Sequence, residues 1–330
     1  MKVWLFLLIL SITFTIPFNT ALAEPDEHWA ILIGISDYAP AGSGGPDLQY
    51  ADDDANDMYQ VLTNEHGWKK ENIIKLVDSA ATKTGIQNAV DNLSNRVNPN
   101  DLFLLFYAGH GSYTTDQPPI DEADGFDEYI LTHDQEQILD DELAIMLEKI
   151  NANKIVVIMD SCFSGGFFKL ADIETRTVPG PPPESLSDTI NGDLAKQGYI
   201  VLSASDEDET CAESSILQNG IFTFYLIEGM FMKPFPADFN NNRKVSAEEA
   251  YTYAAPRATN FNPNQHAQIW DAIPSEANLT IINQIIGGTL TPSNKLRIAI
   301  FYLGLPALLG IFSMAAYKYR KVLKSQFSRF

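Results

Sequence analysis

Four short apolar runs constrain this chain most: Trp29–Ile35 (WAILIGI), Asp101–Tyr107 (DLFLLFY), Lys154–Met159 (KIVVIM) and Gly198–Ser203 (GYIVLS). Each is too short for a typical helix and is apolar at successive positions. That is the signature of a strand buried on both faces. Asn72–Val77 and Glu128–Thr132 read as weaker strands. Between these runs lie Asp53–Thr63, Thr84–Asn95 and Asp140–Ile150, which read as helices; the last opens on acids that suit a helix N-terminus. Strands alternating with helices predict an α/β fold with a mostly parallel sheet. Further helices are expected around Ile221–Met230 and over Ala247–Ala255. Ala39–Asp47, Ser112–Asp127 and the Pro-, Ser- and Gly-rich Arg176–Asp193 read as loops. In such sheets ligands collect beyond the carboxyl ends of the strands. Two of the apolar runs lead directly into reactive residues there: Tyr107-Ala-Gly-His110-Gly and Met159-Asp-Ser-Cys162.

The two ends of the chain are expected to have other tasks. Residues 1–23 combine a basic start, an apolar stretch and Ala21-Leu22-Ala23, which read together as a secretory signal peptide. An uncleaved membrane anchor is the alternative. Residues 298–317 carry no charge, and at about 1.5 Å per residue they reach roughly 30 Å, the hydrocarbon thickness of a bilayer. Lys318, Arg320, Lys321, Lys324 and Arg329 follow, so 318–330 is expected to be a basic cytoplasmic tail. Residues 285–297 read as a linker. The body is then 24–284, a single-pass membrane protein's domain on the extracytoplasmic side.

All 43 acidic residues but only 14 of the 22 basic ones lie between residues 24 and 294, a net charge of about −29 within a chain total of −21. Such a field argues against nucleic-acid partners. It suits cationic substrates or bound calcium, and simple solubility explains it equally well. The chain has only two cysteines, Cys162 and Cys211. A disulfide framework needs more, which leaves one bridge or a nucleophile as the readings.

A thiolate attacks a carbonyl far better than a thiol, and a nearby imidazole supplies it. His110 and Cys162 follow corresponding strand ends, and the fold is expected to bring them together. Gly109 and Gly111 flank the histidine and Gly165-Gly166 follow the cysteine. Glycines let backbone N–H groups approach a substrate oxygen, as an oxyanion hole demands.

Tyr107–Gly111 (YAGHG) and Asp160–Gly165 (DSCFSG) resemble the paired His and Cys boxes of caspases and metacaspases, in the same chain order. Leu48–Ala55 (LQYADDDA) and Ser203–Glu213 (SASDEDETCAE) are similar to weaker metacaspase segments, the second of which lines the primary pocket. The resemblance covers roughly Trp29–Asp271. It implies a caspase–haemoglobinase-like three-layer sandwich, to which the C-terminal transmembrane helix would be added. It also implies cysteine endopeptidase activity through a Cys162–His110 dyad, with Gly111 at the substrate. By motif position Asp54 and Asp160 match the metacaspase acids that hold Arg or Lys at the scissile position. A helix N-terminal acid is the plainer reading of Asp54. An Asp-selective pocket would need bases, and only Lys75, Arg96 and Lys154 lie near the strands.

Calcium is expected at one of two places. Asp140 and Asp141 match an aspartate pair that binds activating calcium in some metacaspases; Asp124 is a third candidate, while Lys169 stands where an acid can occur. A helix N-terminal acid pair is the alternative. Separately, Asp238, Asn240, Asn242, Lys244, Ser246 and Glu249 occupy loop positions 1, 3, 5, 7, 9 and 12 of an EF-hand-like loop, residues 238–249. Arg243 stands where that loop has Gly and is expected to take a positive φ. An Asn-rich turn is the alternative. The expected function is a calcium-activated, self-processing endopeptidase cutting polypeptides after Arg or Lys. Lys169, Arg176 and Lys196 lie in or beside the loop where self-cutting would occur. Two rivals share these residues: a transpeptidase of the same clan, and an inactive calcium-binding surface module. No organic cofactor is expected.

Overall fold

A computed structural model describes residues 25, 27–39, 47–64, 68–115, 117–118, 120, 125–162, 194–206 and 209–282. The four apolar runs are the inner strands of its central sheet: β1 (His28–Gly34), β3 (Leu102–Ala108), β7 (Lys154–Asp160) and β8 (Tyr199–Ser203). Their order is β12-β8-β7-β3-β1-β2, with β2 at Trp68–Val77 and β12 at Gln268–Asp271. The five strands from β8 to β2 run parallel; β12 closes the edge antiparallel to β8. Every residue of β3 is buried, as expected of a strand with helices on both faces.

Side chains alternate between the faces of this sheet. Ile31, Ile33, Phe103, Leu105, Val157 and Val201 share one core with α2 (Lys83–Ser94) and α3 (Asp140–Glu148). On the other face α1 (Ala51–Asn64) packs on β1, β2 and β3, and contacts α4 (Ile221–Ile227). Helix α4 in turn packs on α6 (Ala247–Phe261). The expected mixed α/β fold with a mostly parallel sheet is therefore present, with a helical layer on each face.

Two local expectations are corrected. Ser112–Asp127 is not wholly loop: β4 (Gly111–Thr115) pairs antiparallel with β5 (Phe126–Leu131), and β6 (Gln137–Leu139) joins them. Small peripheral pairs also form between β9 (Glu213–Ser214) and β10 (Asn219–Gly220), and between β11 (Lys244–Ser246) and β13 (Asn278–Ile281). Helix α6 does not stop before Pro256 but runs through it. Proline removes one N–H from the helix ladder; close by, the Arg257 guanidinium donates to the Tyr253 carbonyl at 2.6 Å. A short α5 (Pro234–Ala237) precedes the Asn-rich loop. The expected signal peptide (1–23), linker (285–297), membrane span (298–317) and tail (318–330) lie outside the described residues, as do Asp124, Gly165, Gly166, Lys169 and Arg176. Among the described residues no helix is long and apolar enough to cross a membrane.

Candidate active site

Strands β3 and β7 are neighbours in exact parallel register, with Ala108 opposite Asp160. The Gly109 N–H extends that ladder to the Asp160 carbonyl at 3.2 Å. His110 and Cys162 therefore leave the sheet at the same level, each two residues past a paired position. The two loops meet at Gly111. A Cβ added there would lie 2.6 Å from the Cys162 carbonyl oxygen and 2.9 Å from Ser161 Oγ. Any side chain at residue 111 would push the two loops apart.

His110 is held from three directions. Its N–H donates to the Tyr38 hydroxyl at 2.7 Å, and the two rings lie 4.9 Å apart. Its carbonyl accepts from the Tyr107 hydroxyl at 2.7 Å and from the Leu131 N–H at 3.0 Å. Burial pushes the Tyr38 phenol up to about 12, so it stays a neutral hydroxyl at ordinary pH.

Cys162 is half-buried, and its Sγ lies 3.9 Å from Cys211 Sγ and 3.8 Å from the Cys211 carbonyl. The hydrogen bond from the Cys211 thiol is the main cause that lowers Cys162 to about 7, against burial and the Asp160 charge, which oppose it. The same bond, with burial and Asp160, holds Cys211 well above the usual thiol range. The Cys162 thiol therefore ionises before that of Cys211. Alkylation of Cys162 by iodoacetamide is accordingly expected to rise through about pH 7 and then level off. In Cys211→Ala the midpoint moves upward. A return to an ordinary thiol would cut the thiolate fraction at pH 7 about 16-fold, and the more basic thiolate regains about 5-fold in reactivity, a net loss of about 3-fold. Cys211→Ser restores a donor and should recover part of it. An unmoved midpoint in Cys211→Ala would remove Cys211 from this role.

Behind the pair lie two buried carboxylates. Asp54, in the first turn of α1, accepts from Asn219 Nδ2 at 2.9 Å and the Gly220 N–H at 3.0 Å. Asp160, the last residue of β7, accepts through Oδ2 from the Thr223 N–H at 3.0 Å and the Thr223 hydroxyl at 2.6 Å. Both converge on Gly220, where a Cβ would lie 2.5 Å from Asp160 Oδ2 and 2.9 Å from Asp54 Oδ2. Burial raises both above the ordinary carboxylate range; the Asp160 charge adds to this at Asp54. Among the described residues no Lys or Arg pairs with either acid. Lys75 bonds Asn56, Arg96 stacks on Trp29, and Lys154 donates to the Glu276 carbonyl. Two carboxylates held dry and close repel, and an entering cation would relieve both penalties.

Beside these acids stand three residues to which sequence reading gave no part there, although Ser203–Glu213 was expected by resemblance to line the primary pocket. Glu213 clamps the segment before α1, accepting the Gln49 and Tyr50 N–H groups at 2.9 and 2.8 Å. Its charge adds to the raising of both aspartates. Thr223 and Cys211 are the others. The resemblance joins Glu213 to Asp54, more than 150 positions away, but no local pattern reaches Gly220 or Thr223.

The two calcium candidates lie at the start of α3 and in the loop that leads into α6. Asp140 is buried at the start of α3 and its Oδ1 accepts the Asp141 N–H at 3.1 Å, while Glu142 accepts the Leu139 N–H. In the 238–249 loop Arg243 takes φ 65°, as its position demands. Asp238 accepts the Asn242 and Arg243 N–H groups, both at 3.0 Å. Glu249 accepts from Phe239 and Asn240 through one oxygen and from Ser246 through the other. Asn240 and Asn242 turn their amide nitrogens to Glu276, and Ser246 Oγ caps Glu249 N. Lys244 lies in β11, and its N–H donates to Asn242 Oδ1 at 2.8 Å. The loop oxygens are thus engaged by the loop's own donors. Among the described residues no three His, Cys, Asp or Glu side chains gather as a metal ligand set.

The family model of the caspase domain, a peptidase family, matches residues 27–252. The chain belongs to the caspase-domain family. This caspase domain is 36% identical over 152 residues to a protein of Schizosaccharomyces pombe called metacaspase-1, covering 43% of this chain and 35% of that protein. It is 25% identical over 280 residues to metacaspase-4 of Arabidopsis thaliana, covering 82% of this chain and 60% of the relative. The chain thus spans about a third to three fifths of the length of these two relatives. A Geobacter sulfurreducens protein of known crystal structure aligns over 78% of this chain and all of its own, with a TM-score of 0.54 and 20% identity. That likeness concerns the fold of the caspase domain alone.

Proposed function

We propose that this caspase domain is a cysteine endopeptidase that cuts polypeptides after Arg or Lys. The observation that carries the reading is the pair of buried, mutually repelling carboxylates, Asp54 and Asp160, directly behind a cysteine whose thiol is lowered to about 7. A guanidinium or ammonium at the scissile residue would neutralise the acids and seat its carbonyl against Cys162 Sγ. The Cys162 thiolate attacks that carbonyl carbon, and the carbonyl electrons move to its oxygen beside the glycine-flanked loops. As the intermediate collapses, protonated His110 gives its proton to the leaving amine. Water, deprotonated by His110, then releases the acyl group and regenerates the thiolate.

The reading also covers secretion through 1–23, anchoring through 298–317, and self-cutting near Lys169, Arg176 or Lys196. Lys196 is engaged with Glu148 at 2.8 Å. Calcium, as a hard cation with oxygen donors, would be held at Asp140 and Asp141 or in the 238–249 loop and would act as an activator.

The test is a peptide library varied at the scissile residue, assayed with the full chain across a calcium titration, with mass spectrometry of the chain itself. Arg- and Lys-ended peptides should be cleaved at least about 100-fold faster than Asp-ended ones, the range expected for pairing a buried charge. A preference for Asp, or for apolar residues, would overturn the specificity. Rates and chain mass that ignore calcium would remove the activator.

A further inference from the structure

The only two cysteines of the chain stand side by side. Their sulfurs are 3.9 Å apart, both are free thiols and both are half-buried, and the two arrive from different elements: the end of β7 and the segment before β9. A disulfide sets sulfurs about 2.0 Å apart, so closure needs roughly 1.9 Å of approach. Two short side chains can supply that by turning about χ1. A cysteine nucleophile needs no second thiol, and any hydroxyl would serve as a donor at that point. Sulfur at residue 211 adds one capacity that oxygen lacks.

We propose that Cys211 is a resolving cysteine, which captures oxidised Cys162 as an intramolecular Cys162–Cys211 disulfide. The co-reactant is a low-molecular-weight disulfide, RSSR. The Cys162 thiolate attacks one sulfur of RSSR; that S–S bond breaks and RS⁻ leaves, taking a proton. Cys211 loses its proton to solvent and attacks Cys162 Sγ. The Cys162–SR bond breaks and the second RS⁻ leaves and is protonated. Two protein thiols are oxidised and one RSSR is reduced to two RSH. The asymmetry of the pair suits this order, since the thiolate forms first on Cys162 and the more basic Cys211 follows. A surface disulfide-forming environment, such as the extracytoplasmic side, is where such a step would operate. The disulfide itself depends only on the sulfur geometry; the loss of peptide cleavage that would accompany it rests on the proposed role of Cys162.

The experiment incubates the reduced full chain with oxidised glutathione, then quantifies alkylatable thiols, peptide masses and mobility on a non-reducing gel. Cleavage of an Arg-ended peptide is followed before and after dithiothreitol. The wild type should lose both thiols together, stay monomeric and retain no glutathione; cleavage should fall at least tenfold and return on reduction. Cys211→Ser should instead keep glutathione on Cys162. Glutathione retained on wild-type Cys162 with Cys211 still alkylatable, a cross-linked dimer, or no reaction at all would overturn the proposal. If the internal disulfide forms but the reduced chain cleaves nothing, the resolving role stands and the peptidase reading fails.

Discussion

Replacing Cys162 by alanine is expected to lower kcat/KM for Arg-ended peptides by at least about 10³-fold, because the acyl-enzyme route disappears and only binding and backbone donors remain. The fold should not notice. Cys162 is half-buried at a strand end, so its sulfur contributes little to the core, and the melting temperature should stay within a few degrees of wild type. His110→Ala should cost a similar factor, and the double variant little more than either alone, since the two act as one unit. The alkylation rate of Cys162 separates the two roles. The main lowering influence on that thiol is the Cys211 hydrogen bond. His110→Ala should therefore abolish turnover while leaving alkylation at pH 7 within a few-fold of wild type. Turnover that survives Cys162→Ala would dismiss the nucleophile. Turnover absent from a wild-type chain that alkylates normally would favour an inactive binding module.

Those two residues were legible in the sequence because the sheet is. β1, β3, β7 and β8 are buried on both faces, so apolar runs mark them, and His110 and Cys162 follow the ends of two of them. What stayed hidden has a different physics. β4 (GSYTT) is polar and largely half-buried or exposed, with no period-two contrast to betray it. β12 (QIWD) is an edge strand whose pairing depends on β8, more than 60 positions earlier. Glu213 and Gly220 reach the acids only after α1 and α4 are brought together on one face of the sheet. The partnership of Cys211 with Cys162 is of the same kind: two ordinary thiols in sequence, one shared hydrogen bond in space. Local patterns report which backbone is buried; they do not report which distant side chains share a charge or a proton.

That shared charge makes the pocket's strongest prediction. Asp160→Asn should lower kcat/KM for Arg-ended peptides by about 10²- to 10³-fold, the usual cost of removing one partner from a buried charge pairing. The structure should tolerate the change. The asparagine carbonyl oxygen can still accept from the Thr223 N–H and hydroxyl, which now share Asp160 Oδ2. Removing one of two like charges also relieves the repulsion felt by Asp54, so the melting temperature should hold or rise. The effect on Cys162 has the opposite sign to the effect on turnover. The Asp160 charge raises the Cys162 thiol, so its loss lowers that thiol further and alkylation at pH 6 should speed up. A variant that cleaves Arg peptides far more slowly, yet alkylates faster, has lost a recognition charge rather than its fold or its nucleophile. If both rates fall together, or if Arg selectivity survives, Asp160 does not read the substrate.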